Sequence, residues 1–129
     1  MKIIKIDRSQ QVPEVEVLIS GPRSKQRVTL IFDTGAGCTQ IDTGLIEDIG
    51  YSAKNAKERM NVIGATGAAQ EGYLIEIAQI TFFGKRILNP TVGVYDFDNF
   101  PGVDGLLGWD IISGLNIEMN GLEGTIKVS

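Results

Sequence analysis

One tripeptide occurs twice within a short stretch of this 129-residue sequence, as Asp33-Thr34-Gly35 and again as Asp42-Thr43-Gly44. Aspartate, threonine and glycine in a row supply a carboxylate, a hydroxyl and closely approachable backbone amides at one place. Such a carboxylate is suited to general acid–base catalysis, and it is equally suited to capping a helix or a turn. The residues that flank each copy distinguish these roles.

The sequence contains no histidine and one cysteine, Cys38. Without an imidazole, no Ser-His-Asp triad, Cys-His pair or His-ligated zinc site is available, and no motif surrounds the few serines. Cys38 is therefore interpreted as a small apolar side chain and not as a nucleophile. Carboxylates, lysines and tyrosines remain for acid–base chemistry, and the sequence predicts no cofactor and no metal.

The second copy has the pattern of a helix start. Asp42 precedes three apolar residues at helical spacing, at positions 45, 46 and 49. Gly50 follows them, and glycine is suited to the left-handed conformation that ends many helices. We therefore predict a short helix over Thr43–Ile49 in which Asp42 or Thr43 caps the first amides.

The first copy follows a strand pattern instead. Val28–Phe32 has the β-branched and aromatic character of a strand buried on both faces, and no helix pattern begins at Thr34. A carboxylate at the end of a buried strand costs free energy unless it gains partners, and such groups concentrate at working sites. The alternative interpretation of Asp33 is a turn residue that caps the amides of its own loop.

Short β-rich runs separated by scattered glycines, 16 in all, predict an all-β fold. Two segments have helical patterns, Thr43–Ile49 and Trp109–Ser113. Gly84-Lys85 is predicted to be a two-residue hairpin turn, and Asn120-Gly121 is predicted to form the turn between the last two strands. The predicted strands are Ile3–Ile6, Val12–Ile19, Val28–Phe32, Thr39–Ile41, Asn61–Ile63, Tyr73–Phe82, Arg86–Tyr95, Leu115–Met119 and Gly124–Val128.

Three segments together resemble the aspartic peptidases. Ile31–Ala36 is similar to the catalytic loop of that family, in which two apolar residues precede Asp-Thr-Gly and Ser or Ala follows. Leu106–Ile112 resembles the second half-motif, where a strand and a glycine lead into a short helix behind the loop. Asn61–Ile77 falls where the family has a flap, a β-hairpin with a glycine-rich tip. The segments occur in the family's order, and the resemblance covers about residues 10–128.

The catalytic loop occurs once, in a chain less than half as long as the two-lobed members, so the resemblance is to the retropepsins, which act as symmetric homodimers. It implies a closed retropepsin-like barrel with a flap hairpin and one or two short helices. It also implies catalytic roles for Asp33, Thr34 and Gly35, with the second carboxylate supplied by Asp33 of another copy. Substrate-binding roles are implied for the residue after the motif and for the flap tip, namely Ala36, Gly64, Ala65, Thr66 and Gly67.

Length and charge limit the other classes of function. A chain of 129 residues is expected to form one domain, over 1–129. The formal net charge of −4 argues against a nucleic-acid partner, and the apolar runs are too short for a membrane anchor. A lone cysteine suits a reducing compartment, so a cytoplasmic location is expected.

Two functions stay open. The first is a homodimeric aspartic endopeptidase that hydrolyses an extended polypeptide with a water activated by the paired Asp33 carboxylates. The second is a catalytically inactive retropepsin-like dimer that serves as a peptide-binding or dimerisation module. The intact Asp33-Thr34-Gly35 favours the enzyme. The sequence also leaves open whether Ile3–Ile6 joins the dimer sheet or whether Leu115–Val128 forms it alone.

Overall fold

The computed structural model describes residues 2–7, 9–63, 69–98 and 100–129, and these residues are mostly β-sheet with a few short helices. The predicted flap tip, Gly64–Gly67, lies outside the described residues. The helices are α1 (Thr43–Asp48), α2 (Trp109–Ile112) and one 3-10 turn (Ala53–Asn55). The strands are β1 (Lys2–Lys5), β2 (Glu14–Ser20), β3 (Lys25–Phe32), β4 (Gln40–Asp42), β5 (Glu58–Ile63), β6 (Ala69–Glu76), β7 (Gln79–Phe82), β8 (Lys85–Leu88), β9 (Thr91–Tyr95), β10 (Gly105–Leu107), β11 (Ile117–Asn120) and β12 (Thr125–Val128).

The strands form two sheets. The larger has nine strands in the order β5-β6-β9-β4-β10-β3-β2-β7-β8, and the smaller, here called the terminal sheet, has the order β1-β12-β11. Most neighbours are antiparallel, but β10 runs parallel to β3 and β4 runs parallel to β9. The parallel pair β3–β10 aligns the two segments that the sequence singled out, because Leu107 lies opposite Phe32.

The predicted strands Tyr73–Phe82 and Arg86–Tyr95 form one hairpin that is bent in the middle. Glu76 lies opposite Thr91 and Gln79 lies opposite Leu88, so the register continues unchanged across the bend. Asn89 has a positive φ of 53° and Pro90 has no amide to donate, which accounts for the break there. The outer half of this hairpin, β7 and β8, ends the nine-stranded sheet, and β6 and β9 lie near its other end. No ladder joins the two ends within the described residues, so the predicted closed barrel is not confirmed.

The turn of that hairpin differs by one residue from the prediction. Phe82 pairs with Lys85, so the loop residues are Phe83 and Gly84, and the predicted Gly84-Lys85 turn is wrong. Both have positive φ, 51° and 77°, the combination that a type I′ hairpin turn requires. Sequence rules do not expect phenylalanine there, and it is held in place by packing edge-on against Phe82 with ring centroids 4.3 Å apart.

The core is built from alternating strand residues. Along β3, Val28, Leu30 and Phe32 are buried, whereas Thr29 and Ile31 are half-buried. The prediction that β3 is buried on both faces is therefore wrong for the single chain, in which one face is fully covered. Val28 lies opposite Val17 of β2, which is also buried, so the two strands present one apolar face to the core.

Candidate active site

Asp33 follows the last residue of β3 and stands at the start of an exposed loop. Its backbone amide donates to the carbonyl oxygen of Leu107 at 3.0 Å, which fixes the end of β3 against β10. Its Oδ1 accepts the amide of Gly35 at 2.9 Å. Asp33 is half-buried, and both Thr34 and Gly35 are exposed. The loop thus holds one carboxylate, partly open to solvent, at a place fixed by backbone hydrogen bonds.

Asp42 is a helix cap. Its Oδ2 accepts the amide of Gly44 at 3.0 Å in the first turn of α1, and its Oδ1 accepts the amide of Phe97 at 2.9 Å. The predicted cap is confirmed, and the capping residue is Asp42. Because both of its oxygens accept backbone amides, this carboxylate is committed to holding α1 and the chain after β9.

Asp42 is also far from Asp33 along the sheet. Its amide donates to the carbonyl oxygen of Asp104 at 2.8 Å, and the amide of Asp104 donates to the carbonyl oxygen of Thr29 at 2.8 Å. Asp42 therefore lies level with Thr29, four residues before Asp33. At a rise of ~3.3 Å per residue, the separation along the strand direction is about 13 Å. The two carboxylates of one chain cannot form a close pair.

The predicted strand, glycine and short helix over Leu106–Ile112 lie directly behind the Asp33 loop, as β10, Gly108 and α2. The amide of Trp109 donates to the carbonyl oxygen of Ala36 at 2.7 Å. A Cβ atom at position 108 would lie 2.8 Å from the carbonyl oxygen of Ala36 and 2.8 Å from the carbonyl carbon of Cys38. The contact between loop and helix is therefore close enough to require glycine at position 108.

Thr39 and Asp110 complete this attachment, and the sequence analysis did not identify either as part of the site. The Thr39 hydroxyl donates to Asp110 Oδ1 at 2.7 Å, and the Thr39 amide donates to Oδ2 at 3.0 Å. The same hydroxyl accepts the amide of Gly108 at 3.0 Å. Thr39 is fully buried. Asp110 is the second residue of α2, a position where a carboxylate accepts free helix amides, and that position was the available sequence signal.

Cys38 lies in the same loop as a half-buried thiol. It donates to the carbonyl oxygen of Thr39 at 3.3 Å. Burial, and to a smaller extent the negative charge of Asp110, raises the pKa of the Cys38 thiol. A thiol with a raised pKa is a weak nucleophile at neutral pH, which agrees with its interpretation as a packing residue.

The segment predicted as a flap contains an antiparallel strand pair. β5 and β6 pair from Glu58 opposite Leu74 to Ile63 opposite Ala69. Gln70 of β6 accepts the amide of Asp96 at 2.7 Å through its Oε1, which ties this pair to the chain after β9. The residues predicted to bind substrate at the tip, Gly64, Ala65, Thr66 and Gly67, lie outside the described residues.

An apolar groove of about 290 Å³ opens beside the Asp33 loop, and we call it the terminal groove. Its walls come from three places, namely the end of β3 with its loop, α2, and the segment that leads into and forms β11. The lining residues are Phe32, Thr34, Trp109, Ile112, Ser113, Leu115, Ile117 and Met119. Thr34 thus belongs both to the Asp-Thr-Gly loop and to this groove.

Among residues 2–7, 9–63, 69–98 and 100–129, no group of three or more Asp, Glu, Cys or His side chains is arranged to hold a metal ion. Among the same residues, no helix has the length and apolar character needed to cross a membrane.

Comparison with known proteins gives the family. The family model described as aspartyl protease matches residues 15–111. Among solved structures, a retropepsin-like aspartic protease from Rickettsia conorii is similar at a TM-score of 0.72 and 15% identity, over 98% of this chain and 88% of that one. The retroviral protease-like domain of Ddi1 from Leishmania major is similar at a TM-score of 0.65 and 16% identity, over 93% of this chain and 90% of that one. EIAV protease in complex with an inhibitor is similar at a TM-score of 0.60 and 20% identity, over 84% of this chain and 91% of that one.

No curated protein matches this chain in sequence. The structural likenesses are at low identity and show a retropepsin-like fold, whereas the family model covers most of the chain, including the Asp33 loop and most of α2. The chain therefore belongs to the aspartyl protease family, and its fold is retropepsin-like.

Proposed function

We propose that this protein is a homodimeric aspartic endopeptidase in which Asp33 of each copy supplies one of two catalytic carboxylates. Residues 1–129 would act as one catalytic domain. The observation that carries the proposal is the position of Asp33, which is half-buried at the start of an exposed Asp-Thr-Gly loop and anchored to β10 by its backbone amide. Membership of the aspartyl protease family supports it.

A second copy is needed because the two Asp-Thr-Gly carboxylates of one chain lie too far apart to act together. Asp33 has one carboxylate, and the other Asp-Thr-Gly aspartate, Asp42, accepts two backbone amides about 13 Å away along the sheet. A two-fold axis close to Asp33 would bring the Asp33 carboxylates of two copies together, so that no other acidic residue would be needed. Thr34 is exposed beside Asp33, and we propose that it contacts the same residue of the second copy.

The chemistry follows from two acids held close together. Two neighbouring carboxylates do not both ionise comfortably, so the pair holds one proton between them. The ionised member accepts a proton from a bridging water, which attacks the carbonyl carbon of the peptide bond. The protonated member donates its proton to the carbonyl oxygen as it gains negative charge, which gives a tetrahedral diol. The carboxyl group that took the proton from water then protonates the amide nitrogen, and the C–N bond breaks to release an amine and a carboxylic acid. The Gly35 amide donates to Asp33 Oδ1 and fixes the orientation of this carboxylate within the loop.

The substrate would be an extended polypeptide. Ala36 follows the catalytic motif and is half-buried, and β5 and β6 lead to the segment Gly64–Gly67, which we propose closes over the substrate and donates backbone hydrogen bonds to it. The alternative function is a catalytically inactive dimer that binds peptides. The complete Asp33-Thr34-Gly35 sequence favours the enzyme.

The test is cleavage of a peptide library by the wild type, Asp33→Asn and Asp42→Asn. Asp33→Asn is expected to abolish cleavage, because an amide can neither share the proton nor accept one from water. Asp42→Asn is the matched control. Asparagine also caps helices but keeps only one of the two acceptor oxygens, so this variant is expected to lose some stability and still to cleave peptides, with circular dichroism as the check on folding. Cleavage that survives in Asp33→Asn would refute the proposal, and a folded wild-type dimer that cleaves no peptide at any pH would favour the binding module.

A further inference from the structure

A row of four residues crosses the nine-stranded sheet beside the Asp33 loop. Ile31 of β3 lies opposite Leu106 of β10, and Leu106 lies opposite Gln40 of β4. Gln40 in turn lies opposite Gly93 of β9. Residues directly opposite each other on paired strands share one face of the sheet. Asp33 comes two residues after Ile31, so the alternation of the chain places it on this face as well.

This face is the more open side of the sheet. Thr39 and Ile41, which flank Gln40 in the sequence, are fully buried, and Ile41 belongs to the core. Gln40 itself is half-buried, so its side chain lies on the opposite side of the sheet from these two. Ile31 is half-buried on that same side. A partly open surface beside the candidate catalytic carboxylate is suited to hold a bound polypeptide.

Apolar side chains and one thiol surround Gln40. A Cβ atom at position 93 would lie 3.2 Å from Gln40 Cγ, 3.7 Å from Cys38 Sγ and 3.8 Å from Met60 Sδ. These three side chains therefore meet over Gly93, which has no side chain to separate them. Leu106 borders Gln40 on the neighbouring strand. The stem of the Gln40 side chain is thus held in place by packing.

The carboxamide of Gln40 has no hydrogen-bond partner among the residues that the structure describes. It is also not one of the side-chain groups that are buried without a partner, so it is open to solvent and to a ligand. Two other glutamines of the same sheet, Gln70 and Gln79, use their carboxamides in hydrogen bonds within the chain. Gln40 therefore offers one acceptor oxygen and two N–H donors to a bound molecule.

Gln40 is close enough to Asp33 to contact a bound substrate. β10 lies between β4 and β3, so two strand spacings of ~4.8 Å separate Gln40 from Ile31, and Asp33 is ~6.6 Å further along β3. The Cα atoms of Gln40 and Asp33 are thus about 12 Å apart. An extended polypeptide advances ~3.3 Å per residue, so a side chain within about three residues of the cleaved bond reaches Gln40.

We infer that Gln40 is a specificity-determining residue, which selects a substrate asparagine or glutamine within about three residues of the cleaved bond. This inference rests on the proposed function, since it concerns the substrate of that active site. A substrate carboxamide can both donate to and accept from the carboxamide of Gln40, whereas an apolar side chain leaves it unpaired. A charged side chain would enter the apolar surroundings without a counter-ion.

The proposed dimer contains this subsite twice. A two-fold axis close to Asp33 sets one Gln40 on each side of the cleaved bond. The preference for asparagine or glutamine is therefore expected at equivalent positions on both sides. Ile31 and Leu106 lie between Gln40 and Asp33 and favour apolar side chains next to the bond itself.

The experiment profiles the wild type, Gln40→Leu and Gln40→Glu on decapeptide libraries, each with an apolar pair at the centre and one randomised position. Mass spectrometry identifies the products. The wild type is expected to prefer asparagine or glutamine to leucine about ten-fold at one position on each side of the cleaved bond, because two hydrogen bonds are gained. Gln40→Leu is expected to lose this preference. Gln40→Glu has the same size but only accepts, so its preference is expected to move to lysine or arginine.

Gln26→Leu is the matched control. Gln26 is a half-buried glutamine of β3, seven residues before Asp33, and lies about 23 Å from it along the strand. This variant is expected to keep the wild-type profile, and circular dichroism checks that every variant folds. If Gln40→Leu does not fold, Gln40→Glu carries the test alone. A wild type that cleaves peptides without the preference, or a preference that the folded Gln40 variants retain, would overturn the inference and leave the proposed function intact.

Peptide binding to Asp33→Asn separates the two proposals further. Fluorescence polarisation measures dissociation constants for labelled peptides of the same libraries, which this variant is expected to bind and not to cleave. If the wild type cleaves nothing, but Asp33→Asn binds peptides with asparagine or glutamine about ten-fold more tightly and the added Gln40→Leu removes the difference, the inference holds and the proposed activity fails. If the wild type cleaves nothing and Asp33→Asn does not discriminate between the peptides, both are wrong.

Discussion

The Asp110 carboxylate accepts hydrogen bonds from both donor groups of Thr39, from the hydroxyl at 2.7 Å and from the amide at 3.0 Å, across a sequence separation of 71 residues. Oδ1 also accepts the amide of Ile111 at 3.0 Å, within α2. One side chain therefore joins the start of α2 to the end of the loop that begins at Asp33. The position of the candidate catalytic carboxylate depends on this connection as well as on β3.

We expect Asp110→Ala to lower the free energy of unfolding by about 1–3 kcal/mol, because it removes charged hydrogen bonds to a buried threonine. Urea denaturation measures the change. Asp110→Asn keeps one acceptor oxygen and is expected to lose less. Glu123→Ala, which removes an exposed carboxylate from the β11–β12 loop, is the control. Equal stability of Asp110→Ala and the wild type would show that the connection contributes nothing.

Gly108→Ala tests the close contact between α2 and the Asp33 loop. The added methyl group would lie 2.8 Å from backbone atoms of Ala36 and Cys38, so the loop has to move, at a cost of about 1–3 kcal/mol. Gly37→Ala is the matched control in the same loop, because its methyl group would meet no atom within 4 Å. Thermal unfolding compares the two, and equal melting temperatures would contradict the described contact.

The Phe83-Gly84 turn gives a prediction about the bent hairpin. Gly84→Ala is expected to destabilise the fold by about 1–2 kcal/mol, since φ at this position is 77° and L residues avoid that region. Gly121→Ala, in the loop between β11 and β12, is expected to change stability by less than about 0.5 kcal/mol. If the Gly84 variant unfolds at the same urea concentration as the wild type, the turn is not at these residues.

The Cys38 thiol gives a prediction about pH. Burial raises its pKa, so the fraction of reactive thiolate at a given pH is smaller in the native chain than in the unfolded one. Alkylation by iodoacetamide, followed by mass spectrometry, is expected to be several-fold slower at pH 8 in the native protein than in urea. The pH at which alkylation becomes fast is expected to be higher in the native state. Equal rates in both states would mean that the loop does not cover Cys38.

Several correct predictions from the sequence depend on local patterns. The Asp42 cap, the helix after it and the short helix after Gly108 depend on neighbouring residues, and all three are confirmed. The Phe83-Gly84 turn differs by one residue from the prediction, because turn preferences favour asparagine or aspartate, and not phenylalanine, at a position with positive φ. The bend at Asn89-Pro90 was not predicted, although an Asn-Pro pair is itself a turn signal.

Contacts between distant segments could not be predicted from patterns in the chain. The Thr39–Asp110 connection joins residues that are far apart in sequence, and the pairing of β10 with both β3 and β4 brings α2 beside the loop. The extent to which the second face of β3 is buried also depends on which distant parts of the chain pack against it. The terminal sheet is a similar case, since the pairing of β1 with β12 brings together the two ends of the chain.

A mixing titration shows whether each active site needs one Asp33 from each of two copies. Wild type and Asp33→Asn are combined at constant total concentration, allowed to exchange subunits, and assayed for peptide cleavage. Activity is expected to fall as the square of the wild-type fraction, to about one quarter in an equal mixture, because only dimers with two Asp33 carboxylates are active. A linear fall, to about one half in the same mixture, would show that each copy works alone and would refute the shared active site.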